Sequence, residues 1–161
     1  MPADNTSVVR KTLKLVKIFE DFTEPEVLEF LRLARRQDVA ADDIILREGG
    51  PGDDAYIVIA GTLRVLKAGD GVAEHLATLE PGDSFGELAL LDADPRSATV
   101  VAETAGTLLR FNRHSLALHR VLLIKVLVNI GKVLAARLRE SNSKLLEASM
   151  SRQRLARIRA Q

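Results

Sequence analysis

The sequence predicts a mainly β domain, a barrel or sandwich of short strands, with helices before and after it. Three observations lead there. Between Val39 and Asn112, short apolar runs alternate with turn residues at close spacing, the pattern of many short strands. Upstream, Val8 to Arg35 has helical periodicity. Downstream, Arg113 to Leu146 is long and helical again, with Leu127, Ile130, Leu134, Leu138 and Leu145 at steps of three, four and seven.

Taken in order, Leu13, Val16 and Ile18-Phe19 open the first helical stretch, which breaks near Asp21 to Thr23. Thr23-Glu24-Pro25-Glu26 starts the next helix. A threonine can cap, a proline is tolerated in the first turn, and acids suit the positive end of the dipole. Val27, Leu28, Phe30, Leu31 and Ala34 then form one apolar face. Strands are expected at 44–46, 55–60, 63–66, 75–79, 98–102 and 108–111. Their separators are turn-formers: Gly49-Gly50-Pro51-Gly52-Asp53, Gly61, the hairpin signal Gly69-Asp70-Gly71, and Pro81-Gly82-Asp83. Phe85 to Leu91 does not fit a strand and reads as a short helix set into the β region. The organisation is then residues 1–36 helical, 37–113 β, 114–149 helical and a basic tail at 150–161, all in one domain.

Composition narrows the function classes. The 161 residues are 47% apolar and 28% charged, with a formal net charge of +1. That is an ordinary globular balance with no general attraction to nucleic acid or membrane. Cysteine is absent, so disulfides and thiolate metal sites are excluded, and a cytoplasmic location is expected. No stretch is apolar enough for a transmembrane helix. His75, His114 and His119 are scattered, without metal-site spacing. No catalytic Ser/His/Asp order or acid pair stands out, so no enzyme, cofactor or metal is expected.

The chemistry concentrates in Gly82-Asp83-Ser84-Phe85-Gly86-Glu87-Leu88-Ala89-Leu90-Leu91-Asp92-Ala93-Asp94-Pro95-Arg96-Ser97-Ala98-Thr99-Val100. Gly86 lets backbone approach a ligand closely. Arg96, after a proline, can fork onto two phosphate oxygens. Glu87 can accept a hydrogen bond from a sugar hydroxyl, and Ser97 adds a hydroxyl. These groups suit a small molecule with one phosphate charge and one ribose hydroxyl. The plainer alternatives are a surface Arg96 paired with Asp92 or Asp94, and a solvated Glu87.

Phe85-Gly86-Glu87-Leu88-Ala89-Leu90 with Pro95-Arg96-Ser97-Ala98-Thr99-Val100 resembles the phosphate-binding cassette (residues 85–99) of the cyclic nucleotide-binding domain family. That family includes the catabolite activator protein and the regulatory subunits of cAMP-dependent protein kinase. Glu48-Gly49 through Asp53, Tyr56 to Ile59, Gly61 and Pro81-Gly82-Asp83 are similar to the glycine-marked turns of its β-roll. The resemblance covers roughly Leu15 to Leu146. It implies a jelly-roll-like β-roll with N-terminal helices and a long C-terminal helix.

The resemblance also implies roles. Glu87 would bind the ribose 2′-hydroxyl and Arg96 the cyclic phosphate. The backbone of Gly86, Leu88 and Ala89, with Ser97, would complete the cradle. Leu76 and Ala77 would lie near the base, and Arg137, Ser141 and Asn142 on the long helix would face the purine. Asn142 stands where a hydroxyl residue is expected. The implied ligand is cAMP, with cGMP possible, and the implied function is a regulatory module that signals through its C-terminal helix to a protein partner. The leucine stripe points to a homodimer. No helix-turn-helix segment follows the long helix, so a stand-alone sensor is expected, without nucleic-acid binding. The competing reading is a ligand-free β-roll that serves as a dimerisation or protein-interaction scaffold.

Overall fold

Eight strands, paired only antiparallel, form two four-stranded sheets in the computed structural model of the chain, which describes residues 14–69, 71–92 and 94–159, with side chains to Arg152. The helical start expected at Val8 to Leu13, the hairpin residue Asp70, Ala93 and most of the basic tail's side chains lie outside the described residues. The strands are β1 (Arg35–Val39), β2 (Ile44–Leu46), β3 (Asp54–Ala60), β4 (Leu63–Ala68), β5 (Ala73–Leu79), β6 (Ser84–Phe85), β7 (Thr99–Ala102) and β8 (Gly106–Asn112). One sheet runs β1-β8-β3-β6 and the other β2-β7-β4-β5. First pairs with eighth, second with seventh, third with sixth and fourth with fifth. This nesting is the signature of a jelly roll, and the β-roll expectation holds.

The core between the sheets is built from Val39, Tyr56, Val58, Leu63, Leu79, Phe85, Val100, Ala102 and Leu108. β3 is buried from Asp54 to Val58 because it lies inside its sheet, between β8 and β6. A second apolar cluster joins helices to the roll. Phe19 packs on Phe22 and Phe30, and Phe30 meets Phe111 of β8 edge-on at 4.9 Å. Burying four rings, each worth about 1.5–3 kcal/mol, ties the N-terminal helices to β8.

Helix α1 (Glu24–Leu33) starts where the sequence places it. The Glu26 carboxylate accepts from the Thr23 amide at 2.7 Å and its hydroxyl at 3.0 Å. Lys125 also reaches Glu26, at 2.7 Å, and that contact, followed by the Thr23 amide, holds the Glu26 carboxyl below its ordinary value. Val27 and Phe30 are buried, whereas Leu28, expected on the same face, is exposed.

Three expectations change. The first helical zone stops at Leu33, and Arg35–Val39 is a strand. Its residues are mostly polar because it is an edge strand held by pairing to β8, so it carries little apolar alternation. The downstream helix is broken: α2 (Arg113–Leu116) is followed by a turn, and α3 runs Arg120–Arg159. Asn112 caps α2 by accepting from the Ser115 amide at 2.8 Å, and His119 Nδ1 meets Glu29 of α1 at 2.5 Å in the turn. Finally, α3 continues through the basic stretch that the sequence reading set apart as a tail.

The chain divides into two compact units, one ending at Asn129 and one from Ile130 onward. In the first, Asn129 donates to the carbonyls of Ile18 at 3.0 Å and Glu20 at 2.6 Å, which anchors the start of α3 to the N-terminal segment. The second is helix, with a Glu140–Lys144 pair at 2.6 Å one turn apart. The leucine stripe is only partly outward: Leu127 and Leu134 are half-buried and Ile130 is buried, while Leu138 and Leu145 are exposed; outside the stripe, Val121, Ile124 and Val128 are exposed as well.

Candidate functional site

β6 ends at Phe85, whose ring stacks on Tyr56 at 5.0 Å and 10°. The ladder pairs these two residues, so β3 fixes where the following turn begins. Burial, and then the charge of Asp54, push the Tyr56 phenol above its ordinary value. Gly86 then takes a left-handed conformation, φ 68°, and starts a 3-10 helix, Glu87–Leu90. The short helix expected over Phe85 to Leu91 is present but shorter, Glu87–Leu90, and Phe85 belongs to β6 because it pairs with Tyr56. The Ala89 amide turns back to the Gly86 carbonyl at 3.3 Å, and the Leu91 and Asp92 amides both bond the Leu88 carbonyl.

Arg96 sits against this turn. Its guanidinium donates to the Gly86 carbonyl at 3.1 Å and the Asp54 carbonyl at 2.8 Å, and the residue is only 8% exposed. Its Nε is buried without a hydrogen-bond partner among the described residues. The reading of Arg96 as a surface arginine paired with Asp92 or Asp94 is excluded, since its bonds go to backbone carbonyls. Glu87 is 4% exposed, so it is not a solvated helix acid. Leu88 is exposed and Ala89 half-buried.

Backbone contacts clamp the arginine's own segment. The Gly49 amide bonds the Arg96 carbonyl at 2.8 Å, and the Arg96 amide bonds the Gly50 carbonyl at 3.0 Å. Gly52, φ 147°, lies so close that a side chain there would place its Cβ 2.8 Å from Arg96 Nη2. Asp54 is held in turn: its carboxylate meets Arg110 at 2.6 Å and the Asn112 amide at 3.2 Å. The hydrogen bond to the Asp54 carboxylate raises the Arg110 guanidinium above its ordinary value.

The structure thus brings Gly86, Glu87, Ala89 and Arg96 into one turn region. Ser97 follows, exposed, with its carbonyl bonded by Lys67. Leu76 and Ala77 are exposed on β5; Leu76 falls where the β4–β5 register shifts, opposite the Val65/Leu66 step. Arg137, Ser141 and Asn142 belong to the second unit, where Ser141 and Asn142 are exposed. The sequence reading missed Gly52 and Asp54 as site residues. The glycine-rich run before β3 was the available signal. Among the described residues no cluster of His, Asp or Glu could hold a metal ion, and no helix is long and apolar enough to cross a membrane.

The fold is thus a jelly roll that buries an arginine behind a left-handed glycine turn. Comparison assigns the family. The sequence model of the cyclic nucleotide-binding domain matches residues 36–117, just over half of the chain, and the chain belongs to that family. It is 35% identical over 97 residues to the cAMP-dependent protein kinase regulatory subunit of Blastocladiella emersonii, covering 60% of this chain and 24% of that protein. The crystal structure of the Thermus thermophilus catabolite activator protein is similar, with a TM-score of 0.74 and 35% identity over 83% of this chain and 63% of that one. So is the regulatory domain of Toxoplasma gondii PKA, solved with cAMP, with a TM-score of 0.63 and 29% identity over 73% of this chain and 45% of that one. The chain spans about a quarter of the length of the curated kinase regulatory subunits and cyclic nucleotide-gated channels it matches.

Proposed function

We propose that the chain is a cAMP-sensing module, a cytoplasmic regulator and not an enzyme. One observation carries the reading: Arg96 is a buried cation whose described partners are two carbonyls and whose Nε has none. Burying a cation without a counter-ion is costly, and a bound phosphate removes that cost. In this reading Arg96 takes the cyclic phosphate and Glu87 the ribose 2′-hydroxyl. The backbone of Gly86, Leu88 and Ala89 and the Ser97 hydroxyl close the phosphate cradle, and Leu76 and Ala77 border the base. Arg137, Ser141 and Asn142 cover the purine from the long helix. Binding would shift the helix between two states of different ligand affinity and so alter the surface offered to a protein partner.

We also place a homodimer on α3. Val121, Ile124 and Val128 follow three-four spacing and are exposed. Leu138 and Leu145 return on the same heptad count and are exposed as well.

Calorimetric titration with cAMP, cGMP and cyclic dinucleotides tests the ligand. Micromolar or tighter binding of cAMP is expected, and Arg96→Ala should weaken it at least about tenfold, the loss of one charge-assisted hydrogen bond. Unchanged affinity in that variant refutes the role of Arg96. A wild-type protein that dimerises but binds no cyclic nucleotide refutes the sensor and favours a scaffold.

A further inference from the structure

The strand that follows the cassette begins at Thr99, and the last β4–β7 pair is Leu66 with Thr99. One residue further along β4, the ladder is replaced by a side chain. Lys67 Nζ donates to the Ser97 carbonyl at 2.7 Å. The same ammonium meets Glu48 Oε1 at 2.6 Å, and Glu48 Oε2 accepts from the Ala68 amide at 2.8 Å. The Glu48 amide in turn donates to Thr99 Oγ1 at 3.0 Å. Glu48 therefore touches both sides of the gap where the cassette leaves the sheet, and Lys67 spans it. The carboxyl of Glu48 is held below its ordinary value, first by Lys67 and then by the Ala68 amide.

These contacts complete the restraint of the residues that would meet the phosphate. Arg96 is fixed at both its amide and its carbonyl by Gly50 and Gly49. The next carbonyl, that of Ser97, accepts from Lys67 Nζ, and the Ser97 hydroxyl hangs from that peptide. Lys67 is half-exposed, and Leu63 and Val65, four and two residues earlier on the strand, pack on the core between the sheets. By strand alternation the lysine shares their face, at its open end. A neutralised lysine at this place contributes little net field, so its effect is geometric.

We propose that Lys67, tethered by Glu48, is a positioning residue for the ligand's phosphate. It holds the Arg96–Ser97 peptide in the geometry that receives the cyclic phosphate, and so sets how sharply the site separates the two exocyclic phosphate oxygens. The proposal rests on the cyclic-nucleotide reading above.

The test is calorimetry on the full chain with four probes: cAMP, its two phosphorothioate diastereomers, in which one or the other exocyclic oxygen is sulfur, and 2′-deoxy-cAMP. The wild type should distinguish the diastereomers. Lys67→Met should weaken cAMP about tenfold, the value of one charge-assisted hydrogen bond. It should also bring the two diastereomers toward equal affinity and leave the 2′-deoxy penalty unchanged, because Glu87 is not touched. Lys67→Arg, which keeps a cationic donor of similar reach, should restore both the affinity and the discrimination. Glu48→Gln keeps an acceptor for Ala68 and removes the tethering charge; it should move the same two readouts in the same direction, and decides the matter if Lys67→Met fails to fold. A wild type that binds cAMP yet does not separate the diastereomers overturns the proposal. So does a Lys67→Met variant with wild-type discrimination, or one whose loss is equal for all four probes and follows its fall in Tm. A wild type that binds none of the probes overturns the cyclic-nucleotide reading itself.

Discussion

Gly52→Ala tests whether the glycine run before β3 is part of the binding site. The added Cβ would stand 2.8 Å from Arg96 Nη2, 3.3 Å from Nε and 3.4 Å from Cζ. Ordinary contact between such atoms is about 3.5 Å, so the guanidinium must retreat by about 0.7 Å. It has little room to do so, because Arg96 is 8% exposed and already bonded to the Gly86 and Asp54 carbonyls. The φ of 147° adds backbone strain for any residue but glycine, about 1–3 kcal/mol. Displacing the guanidinium should lose about one charge-assisted hydrogen bond to the phosphate, 1.5–3 kcal/mol, or about ten- to hundredfold in affinity. Calorimetric titration with cAMP alongside thermal unfolding of the ligand-free protein separates the two effects. Gly71→Ala is the matched control: its φ of 90° is also strained, but its Cβ meets nothing within 4 Å. It should lose stability and keep its affinity. Gly52→Ala with wild-type affinity would refute the argument that this glycine shapes the arginine's seat.

Three further outcomes follow from named contacts. Asn129→Leu leaves the Ile18 and Glu20 carbonyls without the amide that bonds them; the cost of about 2 kcal/mol should lower Tm by roughly 4–8 °C in a scan. Glu26 has a folded-state value below the ordinary 4.5, chiefly through Lys125. Its contribution is therefore fully present above that ordinary value and is lost as pH falls through the lower folded one; denaturant unfolding across pH 3–7 should show a shallower acid loss for Glu26→Gln than for the wild type. Ile124→Lys, at a position 60% exposed, should spare the fold and shift the protein to monomer in light scattering; a persistent dimer would place the interface elsewhere.

The sequence alone determined what is written locally. The turn-punctuated apolar runs gave six of the eight described strands, the Thr23 start gave α1, and the continuous stretch from Phe85 to Val100 pointed to the candidate turn together with Glu87 and Arg96. Tertiary structure decided what lies far apart in the chain. Asp54 supplies a carbonyl to Arg96 from 42 residues away, Gly52 bounds the same guanidinium, and Lys67 reaches Ser97 across 30 residues. The polar edge strand Arg35–Val39 also escaped notice, as did the break between α2 and α3. Each is set by nested strand pairing or by packing between elements, and such contacts leave no periodic trace in the residues that make them.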